Sequence, residues 1–523
     1  KEIIMKKILT GLIAGVSILF SSSISFAAPP DDTFVVGLPT DTIGLEPAQI
    51  SSRHTANILK HIFGTLFFIS ETGTLDPNLA ESYAVSDDGK EYTFTLRKGL
   101  TCHDGEPLTA EDVAYTFNRV VDPDLAFVGN SAGFVFPSID FKEARADSEL
   151  DVTIVMGAPN HIALGLISEV YVHCKDAYEK MSKEEAALNP VGSGAYEFVK
   201  WDKGSQIVLK KFPGSAVSAN FENLIWRVIP EASTRTAELI AQNVDMITNA
   251  SPDQVDVIDA SSTAKVQKVS GTRRMYVGFH QGEKYANTEG GRAIQKSEVR
   301  RAIQYSVDVE AICANLLNAP CKRATGIVNP NNAHPTLEPY PYKPEVAEYL
   351  LDQAGYPRDA NGVRFEITLE AGHGRYLNDK NVVLAICQYL DDVGIKTKCD
   401  IMDWSSVYVP KIRTKDAGPM FFLGSGGGTW NPLYDMTDLA TVESGPNYTE
   451  WTNPEWFNGW KVINNSMDPY VIRREIDRML EVFYNEGPWL LLYFQPDFYG
   501  VSNRVNWQER RDEEVDIYNA TLK

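Results

Sequence analysis

Along almost its whole length the chain alternates between two hydrophobic periods, and that alternation restricts it to a mixed α/β architecture. In Glu91-Tyr92-Thr93-Phe94-Thr95-Leu96-Arg97, the apolar Tyr92, Phe94 and Leu96 alternate with polar neighbours, as on a half-buried strand. A helix follows: Thr109 and Asp112 have the spacing of a capping box, and Val113, Phe117, Val120 and Val121 then share one helical face. The helical period returns at Val299, Ala302 and Ile303, at Val346, Ala347, Leu350 and Leu351, at Val383, Ile386, Cys387 and Leu390, and at Ile472, Ile476, Met479 and Phe483. Gly394 and Gly487 follow two of these helices where a left-handed cap ends the turn, and Pro488 reinforces the second stop. No proline- or glycine-rich linker, low-complexity tract or fixed-period repeat divides the pattern. The 523 residues suffice for two or three domains of roughly 100–200 residues. Their boundaries therefore have to fall inside an interwoven fold.

The beginning of the chain reads as an export signal. Met5, followed by Lys6 and Lys7, reads as the start of translation, after a short upstream extension. Ile8 to Phe20 is apolar, and Ser25-Phe26-Ala27 sets small residues at the −3 and −1 positions of a cleavage site after Ala27. The apolar run is shorter than the ~20 residues of a membrane span, and the first cysteine, Cys102, is far from the cleavage point. A soluble periplasmic protein without a direct membrane anchor is expected. The formal net charge of −21 argues against nucleic acid and anionic membranes as partners. Six cysteines in an exported chain can form disulfides. Cys313 with Cys321 and Cys387 with Cys399 are the expected pairs, leaving Cys102 and Cys174.

The motifs give little support to catalysis. His103-Asp104-Gly105 reads as a turn, since Asp-Gly is a turn dipeptide and Glu106-Pro107 continues the loop into the Thr109 cap. Gly192-Ser193-Gly194 lacks the spacing of a nucleophile elbow, and Ser262-Thr263-Ala264-Lys265 lacks the partner motifs of a penicillin-interacting enzyme. There is no His-Glu-x-x-His and no Cys-x-x-Cys. His54 and His61, seven apart, read as satisfied histidines. The chain is therefore not expected to be an enzyme, nor to hold a cofactor or a resident metal. Gly424-Ser425-Gly426-Gly427-Gly428-Thr429-Trp430 lacks the ending of a phosphate-binding P-loop, yet its glycines let backbone amides approach a ligand closely.

Several segments, in order, resemble the extracellular solute-binding proteins of family 5, which serve peptide, nickel and opine importers. They are Gly44-Leu45-Glu46-Pro47; the stretch from Leu75 to Val120; "NPVGSGAYEFVKWDKGSQIVL" from Asn189; "STRTAELIAQNVDMI" from Ser233; "VRRAIQYSVDVEAI" from Val299; and "EVAEYLLDQAGYP" from Glu345. The resemblance implies a two-lobed periplasmic-binding-protein fold. Carried onto this chain, lobe I is expected at residues 28–280 plus 497–523, with an extra subdomain at about 76–188, and lobe II at 281–496. It also implies a monomer that captures a small-molecule ligand by hinge closure and docks on an ABC permease in the inner membrane. Signalling through a membrane receptor is the alternative use of the same closure, and an exported hydrolase is a more remote one.

The resemblance puts the second lobe's binding loop at the glycine run, so Gly427, Gly428, Thr429, Trp430, Asn431 and Tyr434 are candidate ligand contacts. Peptide-binding relatives typically carry an aspartate here, in a Trp-x-x-Asp pattern, for the ligand's α-amino group. This chain reads Trp430-Asn431-Pro432-Leu433 instead. Ordinary peptides are therefore expected to bind weakly unless Asp435 or Asp438 substitutes, and Asp435 joins the candidates. Trp430 and Tyr434 can stack on flat or sugar-like surfaces, and Asn431 offers a donor and an acceptor. A sugar conjugate, an opine-like compound, or a modified amino acid or peptide suits these groups. Arg53 and His54 in lobe I, and Arg375 and Tyr376 in a glycine-bracketed loop of lobe II, complete the expected site, the arginines as partners for a carboxylate. Trp404 is expected to pack internally.

Overall fold

Ten strands form one continuous sheet, and two of them run through both of its halves. In a computed structural model the order is Ile395–Asp403, Phe365–His373, Met420–Ser425, Ala264–Phe279, Trp489–Ser502, Met246–Ile247, Thr33–Leu38, Asn223–Val228, Gln206–Lys211 and Tyr196–Asp202. The structure describes residues 28–50, 52–70, 72–319, 321–426, 430–442, 445–466 and 468–523. The expected signal at 1–27 lies outside them. Among the described residues no helix is long and apolar enough to cross a membrane.

The two central strands, Ala264–Phe279 and Trp489–Ser502, are antiparallel to each other. Residues 264–270 pair with 496–502 in one half of the sheet, and 274–278 pair with 489–494 in the other. The register slips between Ser270 and Arg274, and again between Arg274 and Tyr276. A slip of this kind bends a strand and locally interrupts its ladder. Gly271 belongs to this bend: a Cβ there would lie 2.2 Å from the Gln495 carbonyl oxygen. The second strand is buried along its entire length, which accounts for the unbroken apolar run Trp489-Leu490-Leu491-Leu492-Tyr493-Phe494.

Each half also contains parallel pairs: Thr33–Leu38 with Asn223–Val228 and Met246–Ile247, and Phe365–His373 with Ile395–Asp403 and Met420–Ser425. Parallel neighbours need a crossover. Helix Asp379–Asp392 supplies one, burying Val383, Ile386, Cys387 and Leu390 against the sheet. The other expected helices are Ser297–Ser306, Pro344–Gln353 and Pro469–Glu486. Gly394 and Gly487 take φ of 86° and 57°, the left-handed caps expected of them.

A separate antiparallel sheet of Ala80–Val85, Glu91–Leu96, Asp151–Met156 and Phe141–Ala146 is covered by helix Ala110–Val120. Thr109 and Asp112 form the capping box at its start. Val121 is a correction to the expected helical face: it caps the C-terminus and is exposed, because the helix ends at Val120. All six cysteines are paired, as Cys102–Cys174, Cys313–Cys321 and Cys387–Cys399, with Cα separations of 6.0, 5.5 and 6.3 Å. His103 sits in its turn between the Gly192 N–H and the Gly194 carbonyl.

Candidate functional site

Helix Arg53–Ile62 begins at the seam between the halves. Arg53, Asn57, Lys60 and His61 recur at the spacing of one helical face, and together they hold the C-terminal segment 513–517. The Asn57 amide donates to the Glu513 carbonyl (2.9 Å) and accepts from the Val515 N–H (3.1 Å). His61 Nε2 accepts from the Ile517 N–H (3.1 Å) while Nδ1 bonds the Asn57 carbonyl. His61 is thus a satisfied core histidine, its pKa lowered by burial to about 4. Arg53 and Lys60 share Glu514, at 3.2 and 2.6 Å. Burial raises the Glu514 pKa, but Lys60, Arg53 and Arg510 outweigh it and hold the carboxyl at about 2.

The next residue back, Glu513, turns towards the other half. Both Nε and Nη2 of Arg273, at the bend of the first central strand, donate to its carboxylate, and Arg375 Nη2 reaches it at 3.3 Å. Burial opposes ionisation of Glu513, yet the two guanidiniums prevail and keep its pKa far below the ordinary range. The Arg375 loop is itself fixed: one Asp379 carboxylate oxygen accepts the backbone N–H groups of Gly374, Arg375 and Tyr376 at 2.9–3.0 Å. His54 is half-buried beside these charges. Desolvation, aided by Arg375, lowers its pKa to about 3 and leaves the imidazole neutral.

The second half contributes aromatic side chains. Tyr376 is buried, with its hydroxyl accepting from the Gly424 N–H at 2.9 Å, and Trp404 packs edge-on against it at 5.2 Å. Trp430 has a left-handed backbone, φ 57°. Asn332 Nδ2 donates to its carbonyl (2.8 Å), and the Arg511 guanidinium lies 5.3 Å from its ring centroid. Its indole N–H is buried and has no hydrogen-bond partner among the described residues. The tip of the hairpin Phe67–Ile69/Leu75–Pro77 also meets it: a Cβ on Gly73 would lie 2.7 Å from the Trp430 Cβ. Tyr434 donates to Glu169 at 3.3 Å and meets Phe134 edge-on at 5.5 Å.

Arg53, His54, Arg375, Tyr376, Trp430 and Tyr434 are thus gathered along one seam. Asn431 spends its side chain on capping the Leu433 N–H (2.9 Å). Asp435, expected at the ligand, is instead buried in an internal ion pair. Arg274 Nη1 donates to its carboxylate at 2.8 Å, and the Asn329 N–H donates to the other oxygen at 2.8 Å. Arg274 Nη2 donates to Asp438 at 3.0 Å. Both aspartates are thus paired with Arg274 inside the protein. Gly427, Gly428 and Thr429 lie outside the described residues. The sequence reading missed Arg273, Glu169, Glu513 and Glu514. The charged run Arg510-Arg511-Asp512-Glu513-Glu514 was the available signal, but such runs are usually solvated faces. Among the described residues no group of three histidine, cysteine or acidic side chains is arranged to hold a metal.

A two-lobed α/β protein whose lobes share two central strands and face each other across a charged, aromatic seam has the form of a solute-binding protein. The comparisons give the family: residues 74–446 match the model of bacterial extracellular solute-binding proteins, family 5, and the chain belongs to that family. Its members are substrate-binding proteins of ABC importers, not enzymes. The chain is 25% identical over 500 residues to the glutathione-binding protein GsiB of Escherichia coli K12, covering 92% of each. Its fold is similar to that of DppA from Helicobacter pylori in complex with the peptide STSA (TM-score 0.82, 20% identity, 94% of this chain and 98% of that one). It is also similar to that of AgaA from A. tumefaciens in complex with agropinic acid (TM-score 0.81, 23% identity, 94% and 99%).

Proposed function

We propose that the protein is exported, captures a small polar ligand bearing a carboxylate in the seam between its lobes, and delivers it as a monomer to its permease. The opine-like, sugar-conjugate and modified amino-acid or peptide classes remain the best match. The carrying observation is the convergence of Arg53, Arg273 and Arg375 on the seam, from the first helix, the strand bend and the second-half loop; each already pairs with Glu513 or Glu514, so a ligand carboxylate would share these guanidiniums through their remaining N–H groups. Arginine pairs with carboxylates in a planar, bidentate fashion. Lobe I would comprise 28–280 with 497–523, including the subdomain near 76–188, and lobe II 281–496. The hinge would lie at the register slips around Ser270–Arg274, where the ladder between the central strands is weakest. Glutathione, bound by the E. coli relative, and agropinic acid, bound by the A. tumefaciens neighbour, are the first compounds to try.

The commitment of Asp435 and Asp438 to Arg274 supports weak binding of ordinary dipeptides, because a buried ammonium without a carboxylate costs several kcal/mol. The deciding experiment is uptake in a strain lacking the gene, complemented with wild type or with Arg53→Ala/Arg375→Ala. Loss of uptake in the deletion and in the double variant supports the reading. Normal uptake alongside lost chemotaxis or gene induction would assign the protein to signalling instead.

A further inference from the structure

Glu169 is a seam carboxylate that forms no ion pair with a guanidinium or ammonium among the described residues. It follows the short helix Ala163–Ile167 and is half-buried. Its neighbours are neutral: Asn130 Nδ2 donates to Oε2 at 3.2 Å, and the Tyr434 hydroxyl donates to the same oxygen at 3.3 Å from the opposite half. Among the described residues no lysine, arginine or histidine nitrogen lies within ion-pair distance of it, whereas Glu513 and Glu514 each have two or more cations. Burial raises the Glu169 pKa, and the more distant Arg53 only partly offsets this. Beside it, the rings of Phe134 and Tyr434 meet edge-on. A carboxylate flanked by aromatic rings attracts an organic cation by direct pairing and through the ring faces.

We propose that Glu169, with Tyr434 and Phe134, is a subsite for a cationic group of the ligand, an ammonium or a guanidinium. The inference rests on the reading of the seam as the ligand site and sharpens it: the ligand is zwitterionic, with its carboxylate towards Arg53 and Arg375 and its cation against the first half. The amine partner thus comes from the face opposite the loop that lacks its aspartate. An opine or modified amino acid retaining a basic nitrogen satisfies both ends.

The test uses the full chain, isotope-labelled at glutamate carboxyl and tyrosine ring carbons, with the Glu169 signal assigned from Glu169→Gln. Methylammonium chloride is titrated against sodium chloride at matched ionic strength, and sodium acetate is the parallel probe of the arginines. The expected result is a saturable shift of the Glu169 and Tyr434 signals with methylammonium alone. Its apparent affinity, read at Tyr434, should fall at least about tenfold in Glu169→Gln, as for loss of one charge-assisted contact. Tyr434→Phe, which keeps the ring, should retain the Glu169 response. A methylammonium effect equal to that of sodium, or one undiminished in Glu169→Gln, overturns the subsite. Acetate separates this failure from failure of the site itself, because a saturable acetate response that needs Arg53 and Arg375 would leave the broader reading standing.

Discussion

If Asp435 is a structural counter-ion, Asp435→Ala should damage the fold before it damages recognition. The carboxylate is buried, neutralises Arg274 Nη1 at 2.8 Å and accepts the Asn329 N–H. Burial raises its pKa, and Arg274 beside it only partly offsets this. Removing one partner of a buried pair typically costs 3–5 kcal/mol, because the other charge is left uncompensated. Asp438 still holds Arg274 Nη2 at 3.0 Å, so the loss belongs at the low end, about 3 kcal/mol. For a lobe of roughly 200 residues each kcal/mol moves Tm by about 2–4 °C, and the expected fall is about 6–12 °C. Differential scanning calorimetry measures it, with ligand affinity taken by isothermal titration at a temperature where both proteins are folded. A Tm change under about 2 °C together with a collapse of affinity would refute the reasoning and return Asp435 to the ligand.

Glu46 is fully buried between His173 Nε2 (2.9 Å) and Arg119 (3.1 Å). Burial raises its pKa, but its pairing with His173 and Arg119 outweighs this and brings it from 4.5 to about 2. A depressed carboxyl stabilises the fold above its unfolded pKa. The pH-dependent part of the wild-type advantage over Glu46→Gln, about 3 kcal/mol, should therefore be complete above about pH 4.5 and vanish towards pH 2 in urea titrations; an advantage that grows on acidification contradicts the triad. Removing Cys102–Cys174, which spans 72 residues, should cost about 4 kcal/mol against about 2.5 for Cys313–Cys321, which spans 8; equal urea midpoints for the two double-serine variants would defeat the loop-length argument. Gly73→Ala places a Cβ 2.7 Å from that of Trp430 at a φ of 84°, so ligand affinity should fall about tenfold, a loss of about 1.4 kcal/mol. Unchanged affinity by calorimetry would mean that the hairpin does not meet Trp430 in the bound state.

The helices were legible because their apolar spacing and caps are local: Thr109 with Asp112, and the glycines at 394 and 487, act within a few residues. Arg53, Trp430 and Tyr434 were legible as candidates through motif order. What could not be read locally was which charges neutralise one another. Asp435 meets Arg274 across 161 residues and Glu513 meets Arg273 across 240. Nothing near either carboxylate in sequence distinguishes a ligand contact from an internal counter-ion. Glu169 was missed for the same reason, since its neighbours Asn130 and Tyr434 come from distant segments.

In the proposed function the seam around Trp430 holds one small polar molecule. Native mass spectrometry of the protein, released gently from an exporting cell, tests it most directly. One adduct of small-metabolite mass per chain is expected in the wild type and bare protein in Trp430→Ala, which removes the stacking face while leaving the Arg274 network intact. A wild-type chain without an adduct, or an adduct that persists undiminished in Trp430→Ala, would contradict it.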